Sequence, residues 1–267
     1  MYAFTYHRPD TVRQAAGLVA RKEDAKLLAG GHTLLPTMKQ RLASPASLID
    51  LGGVAELKGI ERKGRAVVVG AMTTHAEVAA SPVMREAIPG LADLAGNIGD
   101  PHVRHRGTIG GSVANNDPAA CYPSACIALG ATIVTSKRRI PADEFFQGMF
   151  GTALEDGEII TKVIFPVPSR AAYAKFANPA SRYALVGVFV AKRGGEVRVA
   201  VTGAGASGVF RWTAAELALD QRYSSKSLIG LQASAENLNS DIHADAEYRA
   251  HLIGVMARRA VDASLGK

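Results

Sequence analysis

The first 51 residues combine short apolar runs with one segment of helical spacing. Apolar positions recur at i, i+4, i+7 and i+8 after Asp10, which predicts a helix capped by Asp10 and ending near Arg21. The positions of this stripe are Val12, Ala16, Val19 and Ala20. Apolar runs at 26–29 and 47–51 predict strands, and a second helix capped by Thr33 is predicted between them. Strand, helix and strand at this spacing predict a small parallel βαβ unit.

From residue 56 onward the pattern favours antiparallel strands. Segments 56–60 and 65–71 flank Lys63-Gly64 and predict a hairpin. One helix, with proline in its first turn, is predicted from Pro82 to about Gly96. Further strands of this part are predicted at 131–135 and 158–165.

A proline pair at 166–168 marks the start of a third part. Strands are predicted at 184–192 and 196–202, joined by Gly194-Gly195, and a final helix at 245–263. The predicted buried face of that helix is Tyr248, Leu252, Val255, Met256 and Arg259. The whole pattern predicts an α+β protein in three pieces. These are 1–55 with a small parallel sheet, 56–168 with a mainly antiparallel sheet, and 169–267 with an antiparallel sheet and helices.

Composition narrows the classes of function. The 267 residues include 31 Lys and Arg against 24 Asp and Glu, a formal net charge of +7. Because the basic residues form no stripe and there is a single Trp, no nucleic-acid binding is expected. Two cysteines, Cys121 and Cys126, exclude a disulfide scaffold. No apolar run approaches the roughly 20 residues of a membrane helix, and the N-terminus lacks a signal peptide's apolar core. We therefore expect a cytoplasmic protein without an integral membrane segment, the inner face of the membrane included as a location.

Two glycine-rich segments are the strongest candidates for a ligand site. The first, residues 28–36, has Gly30-Gly31 between a predicted strand and a predicted helix, where the backbone can approach a phosphate. By itself this is also the pattern of an ordinary turn, the commoner case. The second, residues 106–118, combines three glycines with hydroxyl and amide side chains, and we expect it to offer free N–H groups to a pyrophosphate. Two such segments in one chain favour a dinucleotide.

Together these segments resemble a known family, the FAD-binding medium subunits of molybdenum hydroxylases of the aerobic carbon monoxide dehydrogenase type. The matching motifs are Ala29-Gly-Gly-His-Thr-Leu-Leu-Pro36, Asp100-Pro-x-Val-Arg-x-Arg-Gly107 and Thr108-Ile-Gly-Gly-Ser112. The resemblance covers nearly the whole chain. It implies a two-subdomain FAD-binding domain of the vanillyl-alcohol-oxidase/PCMH type, made of 1–55 and 56–168, followed by a small α+β C-terminal flavoprotein domain, 169–267.

The resemblance also implies where FAD binds. The pyrophosphate would bind at the first segment, through Ala29, Gly30, Gly31, His32, Thr33 and Leu34. The rest of the diphosphate and the approach to the flavin would involve Thr108, Ile109, Gly110, Gly111, Ser112 and Asn115. Ile160 would contact the adenine or ribose end, Lys175 would lie near the cofactor, and Tyr183 would cover the isoalloxazine. From the residues alone, these three also suit a core isoleucine, a solvated lysine and an ordinary strand tyrosine.

By the same resemblance, the chain is the electron-transfer subunit of an oxidoreductase complex. A large molybdopterin-binding subunit would oxidise the substrate. A small iron–sulfur subunit would pass electrons to this FAD, and from there to a terminal acceptor, in a dimer of heterotrimers. No catalytic residue is expected in this chain, because the cofactors supply the redox chemistry. FAD would bind non-covalently, although some flavoproteins with a similar Gly-Gly-His loop attach flavin through the histidine, here His32. The competing function is a nucleotide-binding regulatory module without redox turnover.

Three further patterns depart from this assignment or compete with it. Cys121 stands where relatives often have an Asp that accepts hydrogen bonds from the ribose, so we expect weaker FAD retention. Residues 203–208 match G-x-G-x-x-G after a strand but lack the next strand of a Rossmann unit, which favours a turn. His102, His105, Cys121 and Cys126 do not have the spacing of a structural zinc site, so no metal is expected.

Overall fold

Three β-sheets, each formed by a separate stretch of the chain, organise this computed structural model, which describes residues 1–266. The first sheet is parallel, with spatial order β1-β3-β2. Its strands are β1 (Thr5–His7), β2 (Ala25–Leu28) and β3 (Ser47–Asp50), and its helices are α1 (Val12–Arg21) and α2 (Leu34–Lys39). Since parallel strands end at a common edge, the segment after β2 begins beside the end of β3, where Leu28 pairs with Asp50. The predicted βαβ unit is therefore present.

The start and the buried face of α1 differ from the prediction. Thr11, not Asp10, is the N-cap, and its side chain accepts from the Gln14 amide. Ala15 is fully buried and Ala20 is exposed, whereas Val12, Ala16 and Val19 of the predicted stripe are partly buried against the same core.

The second sheet is antiparallel, with order β4-β5-β8-β6-β7. Its strands are β4 (Ile60–Lys63), β5 (Ala66–Gly70), β6 (Thr132–Thr135), β7 (Arg139–Pro141) and β8 (Ile160–Pro166). Its helices are α3 (His75–Ala80), α4 (Pro82–Ala87), α5 (Pro89–Gly96), α6 (Pro101–Arg106), α7 (Ile109–Asn115), α8 (Tyr122–Leu129) and α9 (Ala142–Phe145). The hairpin around Lys63-Gly64 is present, but the chain before it forms two 3₁₀ turns, Leu51–Gly53 and Ala55–Leu57, where a strand was predicted to begin.

The single helix predicted for 82–96 is wrong. Pro89 begins a new helix, and Ile88 before it has non-helical angles, φ −143° and ψ 69°. A proline ring clashes with a preceding residue in the helical conformation, so the break falls at Ile88. Both prolines occupy a first helical turn, where a missing N–H costs nothing.

The third sheet is antiparallel, with order β12-β11-β10-β9. Its strands are β9 (Arg170–Ala177), β10 (Ala184–Arg193), β11 (Glu196–Thr202) and β12 (Phe210–Arg211); α10 (Thr213–Gln221), a 3₁₀ turn (Ser225–Leu228) and α11 (Ala246–Ser264) complete this part. Val186, Val188 and Val190 pack in one core with α11, whereas Phe189 and Ala191 pack on the opposite face with α8 and the second sheet. Burial on both faces explains why β10 is a continuous apolar run.

The predicted buried face of the last helix is partly wrong. Leu252 and Met256 are buried, but Tyr248 is 44% exposed and Arg259 is exposed. The buried polar residue is Arg249, whose guanidinium donates to the carbonyls of Leu185 and Gly203 at 2.8 and 3.1 Å and pairs with Asp241 at 2.7 Å. Backbone carbonyls at the start of β10 and the end of β11 need donors, and Arg249 supplies them.

None of the helices within residues 1–266 is both long and apolar enough to pass through a lipid bilayer.

Candidate functional site

The two glycine-rich segments lie against each other. A Cβ added to Gly30 would stand 2.1 Å from the carbonyl oxygen of Arg106 and 2.9 Å from the Cα of Gly107. A Cβ added to Gly111 would stand 3.4 Å from the Cβ of Ala29. Only glycine at position 30 permits this contact between backbones. The segment after β2 and the start of α7 therefore form one continuous surface at the carboxyl edge of the first sheet.

The first segment presents a row of unpaired amides. No acceptor in the described part of the chain binds the backbone N–H groups of residues 30–34. Gly31 has φ +78°, a left-handed conformation that turns the chain between β2 and α2. Thr33 occupies the N-cap of α2 as predicted, although its side chain makes no capping hydrogen bond. Consecutive unpaired N–H groups of this kind bind phosphate oxygens.

The second segment differs from the first in its backbone amides. The expectation that it offers free N–H groups is wrong for residues 109–111. The amides of Ile109 and Gly110 donate to the carbonyls of Thr73 and Ala71, at 3.1 and 2.8 Å. The amide of Gly111 donates to the Thr108 side chain at 3.2 Å, which caps α7. These bonds fasten α7 to the turn after β5 and leave its N–H groups occupied.

What the second segment offers is one face of α7. Gly111, Ser112 and Asn115 lie on this face and are partly exposed, whereas Thr108, Ile109 and Gly110 are buried. Among the described residues, no group is hydrogen-bonded to the side chain of Ser112 or Asn115. A hydroxyl and an amide at i and i+3 next to an open glycine face can bind phosphate or ribose oxygens.

A neutral histidine forms the floor beneath the two segments. The His75 amide donates to the Gly107 carbonyl at 3.0 Å, and its imidazole is 4% exposed with Nδ1 unpaired. Burial, together with nearby His32 and Arg104, lowers the pKa of His75 to about 4. The Arg104 guanidinium is fastened to the carbonyls of Ile98 and Gly99 at 3.0 and 2.9 Å. The surface beneath the two segments is therefore polar, and its positive charge is on Arg104. His32, in the first segment, is exposed to solvent.

Lys175 and Tyr183 both lie near Cys121, the N-cap of α8. The Lys175 ammonium donates to the carbonyls of Asn97 and Arg182 and lies 3.8 Å from Cys121 Sγ. It is half-buried, and it is bound to backbone carbonyls at the surface. Tyr183 is 51% exposed, and partial burial with nearby Asp117 and Cys121 raises the pKa of its hydroxyl.

The two remaining predicted positions point inward. Ile160 is 5% exposed and packs in the core with Ile109 and Val113 of α7, so its contact with the cofactor stays a prediction. Cys121 is also 5% exposed, with its thiol directed toward Lys175. The weaker FAD retention expected from cysteine at position 121 stays a prediction.

The structural roles of two residues beside the two segments, His75 and Asn116, were not found from the sequence. His75 was missed because nothing in its local pattern indicates a buried imidazole. Asn116 ends α7 in the left-handed conformation, φ 43°, and its side-chain NH₂ donates to the carbonyls of Gly148 and Gly151 at 2.8 and 2.7 Å. Asparagine after a helix is a recognised end signal, so Asn116 was detectable.

The competing patterns lead elsewhere. After Gly208 the chain enters strand β12 rather than a helix, so the G-x-G-x-x-G segment has no helix N-terminus to offer a phosphate. A Cβ on Gly203 would stand 2.3 Å from the Ala184 carbonyl, which is a packing reason for that glycine. Cys121 and Cys126 are buried free thiols, and residues 1–266 contain no cluster of three potential His, Cys, Asp or Glu metal ligands.

The residues present fit a dinucleotide. Unpaired amides at 30–34 suit a diphosphate, and the partly exposed Ser112 and Asn115 on the adjacent face of α7 add neutral hydrogen-bonding groups. Lys175 and Tyr183 provide a charge and an aromatic ring at the other end.

Comparisons with known proteins agree with this fit. The family model for the FAD binding domain in molybdopterin dehydrogenase matches residues 2–168. The carbon monoxide dehydrogenase medium chain of Hydrogenophaga pseudoflava is 35% identical over 280 aligned positions, which cover 98% of this chain and 96% of that protein. The nicotine 6-hydroxylase medium subunit of Paenarthrobacter nicotinovorans is 37% identical over 273 positions, covering 97% and 96%.

The solved structures lead to the same result. Carbon monoxide dehydrogenase from Hydrogenophaga pseudoflava, in a form lacking the Mo-pyranopterin moiety, superposes with a TM-score of 0.87 at 35% identity, covering 99% of this chain and 98% of that chain. The predicted resemblance, the α+β fold and FAD as the cofactor are thereby confirmed. The chain belongs to the family of FAD-binding domains of molybdopterin dehydrogenases.

Proposed function

We propose that this chain is the FAD-bearing electron-transfer subunit of a molybdenum hydroxylase of the carbon monoxide dehydrogenase type. The observation that supports it best is the row of unpaired amides at 30–34 beside the partly exposed face of α7, since a diphosphate needs unpaired donors. When bound, FAD supplies the exchange of electrons, one or two at a time, that the side chains of this chain cannot perform.

Different residues of the site bind different parts of FAD, according to their position. The amides of residues 30–34 bind the diphosphate, with Ala29 at the edge of the same segment. Ser112 and Asn115 bind oxygens of the diphosphate or ribose from the face of α7. Thr108, Ile109 and Gly110 act indirectly, because their groups hold α7 in place. Lys175 and Tyr183 border the flavin end, and Ile160 supports α7 from behind.

The chain functions within a multi-subunit complex. Its relatives are named medium chains and medium subunits, and the structures it resembles are of carbon monoxide dehydrogenase. We assign as partners a large molybdopterin-binding subunit and a small iron–sulfur subunit, in a dimer of heterotrimers. The complex would lie in the cytoplasm or at the inner face of the membrane, where the two free thiols stay reduced.

The three sheets support the division of the chain at 1–55, 56–168 and 169–267. Their strands occupy residues 5–50, 60–166 and 170–211, so each proposed domain contains one sheet. The first two domains form the FAD site together, since Gly30 and Arg106 lie on opposite sides of their boundary.

Spectroscopy tests the proposal. The purified full-length chain should be yellow, should bleach on addition of dithionite, and should release its flavin into the supernatant on acid precipitation. Co-expression with the neighbouring genes should yield a complex that contains molybdenum and iron. A stable, colourless monomer that binds neither FAD nor partners would contradict the proposal. Flavin that stays on the acid-precipitated protein would indicate covalent attachment, with His32 as the candidate residue, and would contradict non-covalent binding.

A further inference from the structure

The ammonium of Lys175 has three close polar neighbours and none is an anion. They are the carbonyls of Asn97 and Arg182 and, at 3.8 Å, the thiol of Cys121. Within residues 1–266 no carboxylate approaches its Nζ to 4 Å. A half-buried charge is usually compensated by an opposite charge, because desolvation is costly. Here dipoles alone surround it.

The two tyrosine hydroxyls near the thiol stay protonated at neutral pH. Burial raises the pKa of the Tyr173 hydroxyl well above its usual value, and Cys121 next to it raises it further. Partial burial also raises the pKa of Tyr183. The neighbouring carboxylate, Asp117, accepts from the Ala119 amide at 2.8 Å. Among Cys121, Tyr173 and Tyr183 there is therefore no carboxylate to offset the Lys175 ammonium.

Position 121 is the place where this charge could be neutralised. Its side chain is 5% exposed and already touches the ammonium, so a carboxylate there would form a buried ion pair with Lys175. A thiol of similar size leaves the charge uncompensated. Charge near a flavin ring changes its electronics, because reduced flavin has more negative charge than oxidised flavin.

We propose that Cys121 tunes the reduction potential of the FAD by leaving Lys175 uncompensated, so that this potential is more positive than with a carboxylate at position 121. The proposal rests on the proposed function, since it requires FAD at this site with its flavin end near Lys175.

The test compares matched variants of the full-length chain by spectroelectrochemical titration of the bound flavin. Cys121→Asp should shift the midpoint potential to a more negative value. Cys121→Asn, whose side chain has the shape of aspartate without its charge, should leave the potential close to wild type. Lys175→Gln, which removes the charge and keeps a donor, should also shift it negatively. In the Lys175→Gln background, Cys121→Asp and Cys121→Asn should differ far less, because the ion pair is absent.

Flavin content and the melting temperature, measured on every variant, separate unfolding from an electrostatic effect. Equal potentials for folded, flavin-loaded Cys121→Asp and Cys121→Asn would overturn this inference and leave the proposed function intact. If Cys121→Asp does not load FAD, the Lys175→Gln potential decides, and a value equal to wild type overturns the inference. A wild-type chain that binds no FAD would overturn both.

Discussion

Three neighbouring glycines differ in what the absence of a side chain makes possible. At Gly30 it permits the backbone of the first segment to touch Arg106, and at Gly110 it permits α7 to touch Ala71. At Gly111 the nearest atoms to an added Cβ are Thr108 Oγ1 at 3.0 Å and the Cβ of Ala29 at 3.4 Å. The first two glycines are thus required by contact with the backbone of another segment, whereas at Gly111 the nearest atoms belong to side chains.

Gly111→Val should remove FAD binding while the chain remains folded. The branched side chain would fill the open face of α7 beside the amides of residues 30–34, and it meets no backbone of another segment. Flavin content per chain and the melting temperature measure the two effects separately. Gly110→Ala is the matched control, because its Cβ would stand 2.7 Å from the Ala71 carbonyl and should lower stability by about 1–3 kcal/mol. Normal FAD content in Gly111→Val would contradict the assigned site.

His75 should make the folded chain sensitive to mild acid. Its pKa is about 4 in the folded chain against 6.5 for a free side chain, so the unfolded chain binds a proton first as the pH falls. Its contribution to stability is therefore complete above pH 6.5, decreases between pH 6.5 and 4, and is lost below. One proton corresponds to about 1.4 kcal/mol per pH unit.

Denaturant unfolding across this pH range checks the prediction. His75→Gln should flatten the pH dependence of the free energy of unfolding between pH 6.5 and 4. His251→Gln, at an exposed position on α11, should leave it as in the wild type. Parallel curves for wild type and His75→Gln would show that another group titrates there.

The sequence located the site residues better than it described their roles. The glycine spacing indicated both segments, and both border one site. It could not indicate that Thr73 and Ala71 occupy the amides of Ile109 and Gly110, because those acceptors come from another turn of the chain. The local sequence pattern also could not predict that Cys121 and Ile160 are buried, since burial depends on which elements cover them.

At the scale of elements, a buried carboxylate joins the β6–β7 hairpin to the segment before β8. Glu158 accepts from Arg138 Nε at 3.1 Å, from the Glu155 amide at 2.8 Å and from the Thr135 hydroxyl. Burial alone would raise the pKa of Glu158, but these donors outweigh it and lower the pKa to about 2. The network holds two loops that local sequence leaves independent.

Glu158→Gln should lower the free energy of unfolding by about 2 kcal/mol at neutral pH, because charged hydrogen bonds to a buried group are lost. The difference from wild type should be constant above pH 4.5 and shrink as the pH falls toward 2, where the wild-type carboxylate gains its proton. Glu155→Gln, 56% exposed at the same cluster, should change stability by less than about 1 kcal/mol. Urea titration at several pH values measures both, and equal losses for the two variants would refute the role of burial.

Elements with strong local signals agree with prediction, and those decided by neighbours do not. Strand β11 runs from Glu196 to Thr202 as predicted, because an apolar alternation after a two-glycine turn leaves little choice. Strand β9, rich in alanine, was not predicted as a strand, and its pairing with β10 is what extends it. The buried face of α11 differs from the predicted one because it includes Arg249, which donates to carbonyls of the third sheet.

At the scale of the whole molecule, the proposed FAD site joins parts of the chain that are far apart in sequence. The first sheet contributes the amides of 30–34, the second contributes α7, and Lys175 comes from β9 of the third sheet. A ligand bound across such parts stabilises the folded state as a unit, by mass action.

FAD should therefore raise the melting temperature of the flavin-free chain in a concentration-dependent way. At 100 times its dissociation constant the expected gain is about 2.7 kcal/mol. ADP should also stabilise the chain, because it has the diphosphate that the amides of residues 30–34 bind, whereas adenosine should not. Thermal denaturation with each ligand checks this, and Gly111→Val should respond to neither FAD nor ADP. Equal stabilisation by adenosine and ADP would contradict recognition of the diphosphate.

The sequence by itself determined the α+β class, the parallel βαβ unit, the two glycine segments and, through their resemblance, the FAD family. These depend on periodicity and on short contiguous motifs, where neighbours in sequence are neighbours in space. Only the tertiary structure decided which amides stay unpaired, that the backbone at Gly30 contacts the Arg106 carbonyl, and that the Cys121 thiol lies near the Lys175 ammonium. Those properties arise where segments tens of residues apart meet, and burial and hydrogen-bond partners exist only after the chain has folded.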